Sequence, residues 1–371
     1  MTSSLRGVRV LFVSALTAAL LVAAAGSSWA APVPAHRCAA ASCAPPHVRV
    51  VGTLARDLRV PWGIAFLPNG DALVSGRDAG TIVRVGRHGG TTRVGRVPGV
   101  VSNGASGGEG GLLGLAVRNN FSTSPVLYAY VSTRSDNRVV RMRYSGGKLG
   151  RPHAVITGIP RGLHHNGGRI AFGPDGMLYV TTGESGVPAL AQRRSSLGGK
   201  ILRATPSGGV PADNPFRGSL IYSLGHRNVE GLAWDSAGRL WATEFGEHTW
   251  DELNLVRPGG NYGWPATEGP TSNARYVAPK VVWRTDNAGP SGIAIIRDVA
   301  WIGGLTGHRL WRVPLNGTHV GAKRAFLTGG FGRLRTAQRA PDGSLWLTTS
   351  NTDGRATPGR RDDRILRLSV G

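Results

Sequence analysis

Two histidines stand side by side at His164 and His165, followed by Asn166, Gly167, Gly168 and Arg169. An imidazole takes up a proton near neutral pH, so His165 or its neighbour placed against a substrate could serve as a base. The two glycines allow close main-chain approach or a positive φ beside it. A second cluster, Gly225-His226-Arg227-Asn228, joins a planar fork of donors to an amide that both donates and accepts, which suits a flat anionic ligand. Arg333 and Arg335 flank Leu334. Alternation along a strand would put both on one side, where paired guanidiniums bind carboxylates or phosphates. Glu109 lies among glycines in GGEGG and could accept a substrate hydroxyl or orient a histidine. The stretch Thr243 to Glu252 is rich in acids in an acid-poor chain. Hard cations such as calcium take carboxylate and carbonyl oxygens, but this is not an EF-hand loop. Each of these residues also has a plain structural reading, as a cap, a salt-bridge partner or a solvated side chain, and spacing alone leaves both readings open.

The elements that must position these groups are visible as a repeat. A small residue leads into a short apolar run, then a turn, then a second apolar run ending in Thr, Ser or Glu. The clear copies are PWGIAFLPNGDALVSGR (61–77), GGRIAFGPDGMLYVTTGE (167–184), VEGLAWDSAGRLWATEFGE (229–247) and TAQRAPDGSLWLTTSN (336–351). Weaker ones are LLGLAVRNNFSTSPVLYAYVS (112–132) and PSGIAIIRDVAWIGGL (290–305). Alternating apolar runs joined by Asn-Gly or Asp-Gly turns read as β-hairpins. Many continue into a further strand, such as TIVRV (81–85) or RILRL (364–368). Aligned copies fall at Gly63, Gly114, Arg169, Gly231, Gly292 and Thr336, at intervals of 44 to 62 residues. Units of this size predict an all-β, six-bladed β-propeller with four-stranded antiparallel blades, closed by a strand near Val48–Leu54. A propeller gathers its loops around one axial mouth. The candidate residues all precede or follow hairpins, so a common pocket is the expectation.

Composition agrees. Gly 56 and Pro 23 among 371 residues exclude a helical bundle, because both disfavour helix interiors. The formal charge is +23, from 44 basic and 21 acidic residues. The arginines are spread along the chain with no basic block beyond pairs such as Arg193-Arg194, so the charge reads as a compositional habit, with no nucleic-acid partner. Arg6 and Arg9 precede an apolar run from Val10 to Ala25, and Ser28-Trp29-Ala30 fits a cleavage site. Residues 1–30 therefore read as a secretory signal peptide, leaving no stable membrane span after cleavage. Residues 31–47 read as a flexible leader whose Cys38 and Cys43 could close a small loop, and residues 48–371 as the single propeller domain.

Together PWGIAFLPNG, EGGLLGLAV, HHNGGRIAFGPDG, GHRNVEGLAW, EFGEHTWDELNL, GGNYGWP, PSGIAI and the late Arg-x-Arg resemble the soluble PQQ-dependent glucose/sorbosone and aldose sugar dehydrogenases, in family order from about Val50 to Leu368. The resemblance implies PQQ and Ca²⁺ as cofactors, aldose sugars as substrates and an external electron acceptor. It implies His165 as the base at the anomeric hydroxyl, while hydride passes from C1 of the sugar to C5 of PQQ to give a lactone. Arg227 would sit over the quinone oxygens and stabilise the charge developing there, Asn228 would bind PQQ too, Arg333 and Arg335 would pair with its carboxylates, and the carbonyls of Gly246 and Glu247 would hold the calcium. Asp251 and Tyr262 lie in matching stretches. The chain departs from the glucose-active pattern where His164 replaces an acid, where Glu109 replaces a glutamine, and where Gly304-Leu305-Thr306-Gly307-His308 offers no counterpart to a PQQ-binding lysine. These departures favour the broader aldose sugar subgroup. Two alternatives are a calcium-dependent lactonase-type propeller hydrolase and a non-catalytic propeller that binds carbohydrate or protein.

Overall fold

The computed structural model describes residues 46–371. The expected signal peptide, and the leader with Cys38 and Cys43, lie outside the described residues except for Pro46 and His47. Six antiparallel sheets are arranged as blades around one axis. Blade 1 comprises Pro61–Phe66, Ala72–Gly76, Thr81–Val85 and Thr91–Arg96. Blade 2 comprises Leu112–Val117, Val126–Ser132, Asn137–Ser145 and His153–Ile159. Blade 3 comprises Ile170–Phe172, Leu178–Thr181, Lys200–Ala204 and Ile221–Leu224. Blade 4 comprises Val229–Trp234, Leu240–Glu244, Trp250–Val256 and Val281–Arg284. Blade 5 comprises Pro290–Ile296, Val299–Gly304, Arg309–Asn316 and Arg324–Phe326. Blade 6 comprises Leu334–Arg339, Leu345–Thr349 and Ile365–Val370, and takes its outermost strand, Val48–Ala55, from the start of the described chain. That strand pairs antiparallel with Ile365–Val370, from Val48 opposite Val370 to Ala55 opposite Ile365. The ring is therefore closed by main-chain hydrogen bonds. Two short strands, Lys148–Leu149 and His319–Val320, extend blades 2 and 5. Among the described residues there is no α-helix, only 3-10 turns at Gly104–Ser106 and Pro188–Ala191.

The alternating apolar residues fill the spaces between adjacent blades. Leu113 of blade 2, Ile170 and Val180 of blade 3, and Trp62 of blade 1 share one buried cluster. Trp241 and Trp283 of blade 4 pack with Ile293 and Trp311 of blade 5 in another. Close to the axis the seams are polar. The Ser75 hydroxyl donates to the Leu113 carbonyl at 2.6 Å and accepts from the Gly63 N–H at 2.7 Å, tying blade 1 to blade 2. The Thr243 hydroxyl donates to the Ser291 carbonyl, and the Thr336 hydroxyl to the Trp62 carbonyl.

The glycine at the aligned position of four repeats, Gly63, Gly114, Gly231 and Gly292, follows from this convergence. A Cβ added to Gly231 would lie 2.2 Å from Thr243 Oγ1 and 2.5 Å from the Ser291 carbonyl oxygen. Only glycine lets the inner strands of blades 4 and 5 approach this closely. Gly231→Ala is expected to destabilise the protein by about 1–3 kcal/mol through overpacking, measured by thermal or urea unfolding.

Candidate functional site

Each inner strand begins at the same end of the axis, so the segments leading into those strands surround one mouth. There they enclose a cavity of about 280 Å³. Its lining includes Glu109, His165, Arg227, Gly246, Arg333 and Arg335, brought from blades 2, 3, 4 and 6, together with Asp251. Asn228 lies directly behind this wall and is fully buried. Glu247 stands at the outer rim, its carboxylate 4.0 Å from Arg227 Nη2.

His165 leads into blade 3 with φ 54°, a left-handed conformation uncommon for a residue with a Cβ. Two contacts hold it. Its N–H donates to Glu109 Oε2 at 2.8 Å, and its carbonyl accepts from the Ser185 N–H at 3.0 Å. Gly167 follows with φ 61°, and a Cβ there would lie 2.6 Å from Thr182 Cα. The imidazole is oriented by a residue that the sequence reasoning did not single out: His165 Nδ1 makes a short hydrogen bond to Glu184 Oε1, and Glu184 is buried. With the carboxylate accepting the Nδ1 proton, Nε2 is the nitrogen that carries the free lone pair. Glu184 had a readable signal. The second strand of a hairpin returns to the mouth where the first began, and the third copy of the repeat ends in that glutamate.

Blade 4 repeats the device. Glu244 ends its second strand and accepts the Arg227 main-chain N–H at 2.5 Å through Oε1. Its Oε2 meets His226 Nδ1 at 2.8 Å, while His226 Nε2 meets Ser223 Oγ at 2.8 Å and the ring stacks on Tyr262. His226 and Tyr262 are therefore buried scaffold behind the pocket wall. Arg227 Nη1 donates to the Gly246 carbonyl at 2.6 Å, and its guanidinium lies 5.4 Å from the centre of the Trp264 ring. The Asn228 side chain accepts the Gly167 N–H at 2.9 Å. Two buried donors at this wall, Arg227 Nε and Asn228 Nδ2, have no hydrogen-bond partner among the described residues. Buried donors left unpaired are costly, and here they mark where an acceptor-rich ligand would be held.

Glu109 is half of a rim bridge. Its Oε1 lies 3.1 Å from Arg355 Nη2 and 3.8 Å from His164 Nδ1. Burial pushes its carboxyl up, but the charge of Arg355 and the His165 N–H outweigh that and hold it below the usual carboxylate range. Asp251 accepts the N–H groups of Gly246 at 3.0 Å and Gly289 at 2.8 Å, and burial raises it to about 7.

Arg333 and Arg335 do lie on one side of their strand, since both reach Asp353 Oδ2, at 3.1 and 3.3 Å. They differ in what they leave free. Arg335 also pairs with Glu230 at 3.0 Å and donates to Ser350 Oγ at 3.0 Å, so each of its nitrogens is engaged inside the protein. Arg335 lines the cavity but has less donor capacity left for a ligand carboxylate than its neighbour. Arg333 is tied to Asp353 through Nε and reaches the Leu305 carbonyl only at 3.4 Å, which leaves it the better placed of the two for a ligand.

The cavity fits an anion. Arg77, Arg227, Arg333 and Arg355 all reach its lining, and two buried donors at its wall lack an acceptor. The expected calcium ligands are main-chain carbonyls, and that of Gly246 accepts Arg227 Nη1 at 2.6 Å while keeping a second lone pair.

A six-bladed propeller with a cationic axial pocket and a carboxylate-oriented histidine defines the class. The sequence profile described as Glucose / Sorbosone dehydrogenase matches residues 58–361, and the chain belongs to that family. The PQQ-bound aldose sugar dehydrogenase of Streptomyces coelicolor is 54% identical, with a TM-score of 0.85, over 88% of this chain and 99% of that one. The aldose sugar dehydrogenase YliI of Escherichia coli is 28% identical over 90% of this chain and 95% of its own length. Quinoprotein glucose dehydrogenase B of Acinetobacter calcoaceticus is 32% identical over 60% of this chain and 53% of its own.

Proposed function

We propose that the protein is an oxidoreductase that oxidises aldose sugars at C1 with PQQ as cofactor, passing the electrons to an external acceptor. The observation that carries this reading is the His165–Glu184 pair opening into the same arginine-lined cavity as Arg227 and its unpaired Nε. PQQ, when bound, supplies the electrophilic quinone that accepts hydride from the sugar. The residues do the rest. Arg227, Asn228 and Arg333 present donors to its carbonyl and carboxylate oxygens. Glu184 fixes the imidazole so that Nε2 of His165 takes the proton of the anomeric hydroxyl, and loss of that proton with the C1 hydride gives the lactone. Glu109 holds the His165 main chain and presents a carboxylate at the rim where a sugar hydroxyl would enter. The similarity to the S. coelicolor protein, described as PQQ-bound, supports the cofactor. The N-terminal pattern supports an extracytoplasmic location.

The test is reconstitution. With micromolar PQQ and CaCl2, a panel of aldoses is expected to drive reduction of an artificial dye, and dye reduction should be absent without PQQ. Failure to bind PQQ at that concentration would remove the proposal, and lactone hydrolysis without PQQ would favour a hydrolase. Calcium is part of the proposal through the Gly246 and Glu247 carbonyls, the first of which also accepts Arg227 Nη1. Dialysis of the loaded enzyme against EDTA is expected to abolish turnover and CaCl2 to restore it. Unchanged turnover after chelation would remove calcium from the account.

A further inference from the structure

The axis holds a second cavity, of about 520 Å³, separate from the mouth just described. Its walls are the middles and far ends of the inner strands, including Phe66, Val117, Phe172, Trp234, Ile295 and Pro341. It therefore opens at the opposite end of the ring from His165. Each inner strand is the terminal strand of its sheet, so its unpaired edge turns main-chain N–H and C=O groups toward this channel.

Arg169 lines the inner end of that channel and is buried, with 7% of its surface exposed. Its Nε donates to the Glu230 carbonyl at 2.9 Å and its Nη2 to Thr336 Oγ1 at 3.1 Å, and its guanidinium lies 4.2 Å from the centre of the Trp62 ring. Those partners are neutral groups. Among the described residues no carboxylate lies within salt-bridge distance of it, and Nη1 makes no hydrogen bond. The nearby carboxylates are committed elsewhere. Glu230 Oε2 is held by Arg335 and by the Ser291 hydroxyl at 2.6 Å, and Asp353 by Arg333 and Arg335. The buried axial cluster thus sets the guanidiniums of Arg169, Arg333 and Arg335 against only the carboxylates of Glu230 and Asp353. A buried charge without a partner is strongly unfavourable. A ligand in the upper mouth serves Arg333, but Trp62 and the Arg335–Glu230 pair stand between that mouth and Arg169.

We infer that the lower axial channel is a binding site for a small monovalent anion, halide or carboxylate, held by Arg169 Nη1 and the edge N–H groups of the inner strands. The site is independent of the redox reading, because it needs neither PQQ nor substrate. Its occupant supplies the missing negative charge from the solvent side and so couples the stability of the ring to the anion present.

The test uses the protein without cofactor. Crystals soaked in sodium bromide are expected to show an anomalous peak within hydrogen-bond distance of Arg169 Nη1. In solution at fixed ionic strength, replacing the bulky sulfonate HEPES with bromide or acetate is expected to raise Tm by about 2–4 °C. Stabilisation by acetate alone would assign a carboxylate, and by bromide as well a general monoanion. The shift should vanish in Arg169→Gln and shrink in Arg169→Lys, which keeps the charge without the fork. No bromide peak at Arg169 together with no stabilisation by acetate, or an equal shift in wild type and both variants, would overturn the inference. The diffraction arm needs only wild-type protein, so it stands even if a variant fails to fold.

Discussion

His165→Ala is expected to bind PQQ with nearly wild-type affinity and to lower kcat for aldose oxidation by about 10²–10⁴-fold. The change also leaves the buried Glu184 carboxylate without its imidazole partner, so some loss of stability accompanies it. Among the described residues the imidazole's one side-chain hydrogen bond is to Glu184, and the imidazole itself lines the cavity. Removing it therefore takes away the proton acceptor and leaves Arg227, Asn228 and Arg333 in place to hold the cofactor. Glu184→Gln provides the companion result. The amide can still reach Nδ1, but it no longer offers a carboxylate to stabilise the imidazolium formed when the proton arrives. A fall in kcat with PQQ affinity unchanged is expected there too. If His165→Ala kept wild-type kcat, proton transfer would have to be assigned to another group, and Glu109 would be the first to examine.

Arg335→Met is expected to have the largest effect on stability, about 3–5 kcal/mol, read from urea unfolding of the protein without cofactor. The reason is what it leaves behind. Glu230 Oε2 would lose its 3.0 Å partner and keep only the Ser291 hydroxyl, inside a wall that is almost entirely buried. Asp353 would keep Arg333 as its one charged partner, beside the Ser350 hydroxyl and the Arg355 N–H. Arg333→Met should reverse the emphasis. Asp353 retains Arg335, so the loss of stability is smaller, while PQQ affinity falls because Arg333 has donating capacity still free. Equal effects of the two substitutions on cofactor affinity would show that both arginines face the ligand, as the two-residue spacing alone implies.

The contrast between these arginines shows what could be read from sequence. Strand periodicity and turn residues are local, so the hairpins from Pro61 to Arg77 and from Val229 to Glu244 were legible, and with them the ring and the mouth. The candidate residues at 109, 165, 227 and 333 converge because a propeller forces every inner strand to start at the same end. Partner identity is not local. Arg335 and Glu230 are 105 positions apart, and nothing in either segment announces the other. Glu109 and Arg355 meet across the rim from blade 2 and the last loop of blade 6 for the same reason. Glu184 and Glu244 were within reach, since each closes a hairpin whose first strand follows a candidate residue. The rule that the closing residue returns to the mouth needs the fold before it can be applied.

The central claim, that an aldose delivers its electrons to PQQ held in the mouth beside His165, is tested most directly by anaerobic stopped-flow mixing of PQQ-loaded protein with an aldose in single turnover. The absorbance of the oxidised cofactor is expected to disappear in one sugar-dependent phase, far slower in His165→Ala and unchanged by substitution of Arg169, which lies beneath the mouth and does not line it. An oxidised cofactor that persists in the wild-type protein with every aldose tried, despite stoichiometric PQQ binding, would contradict the account.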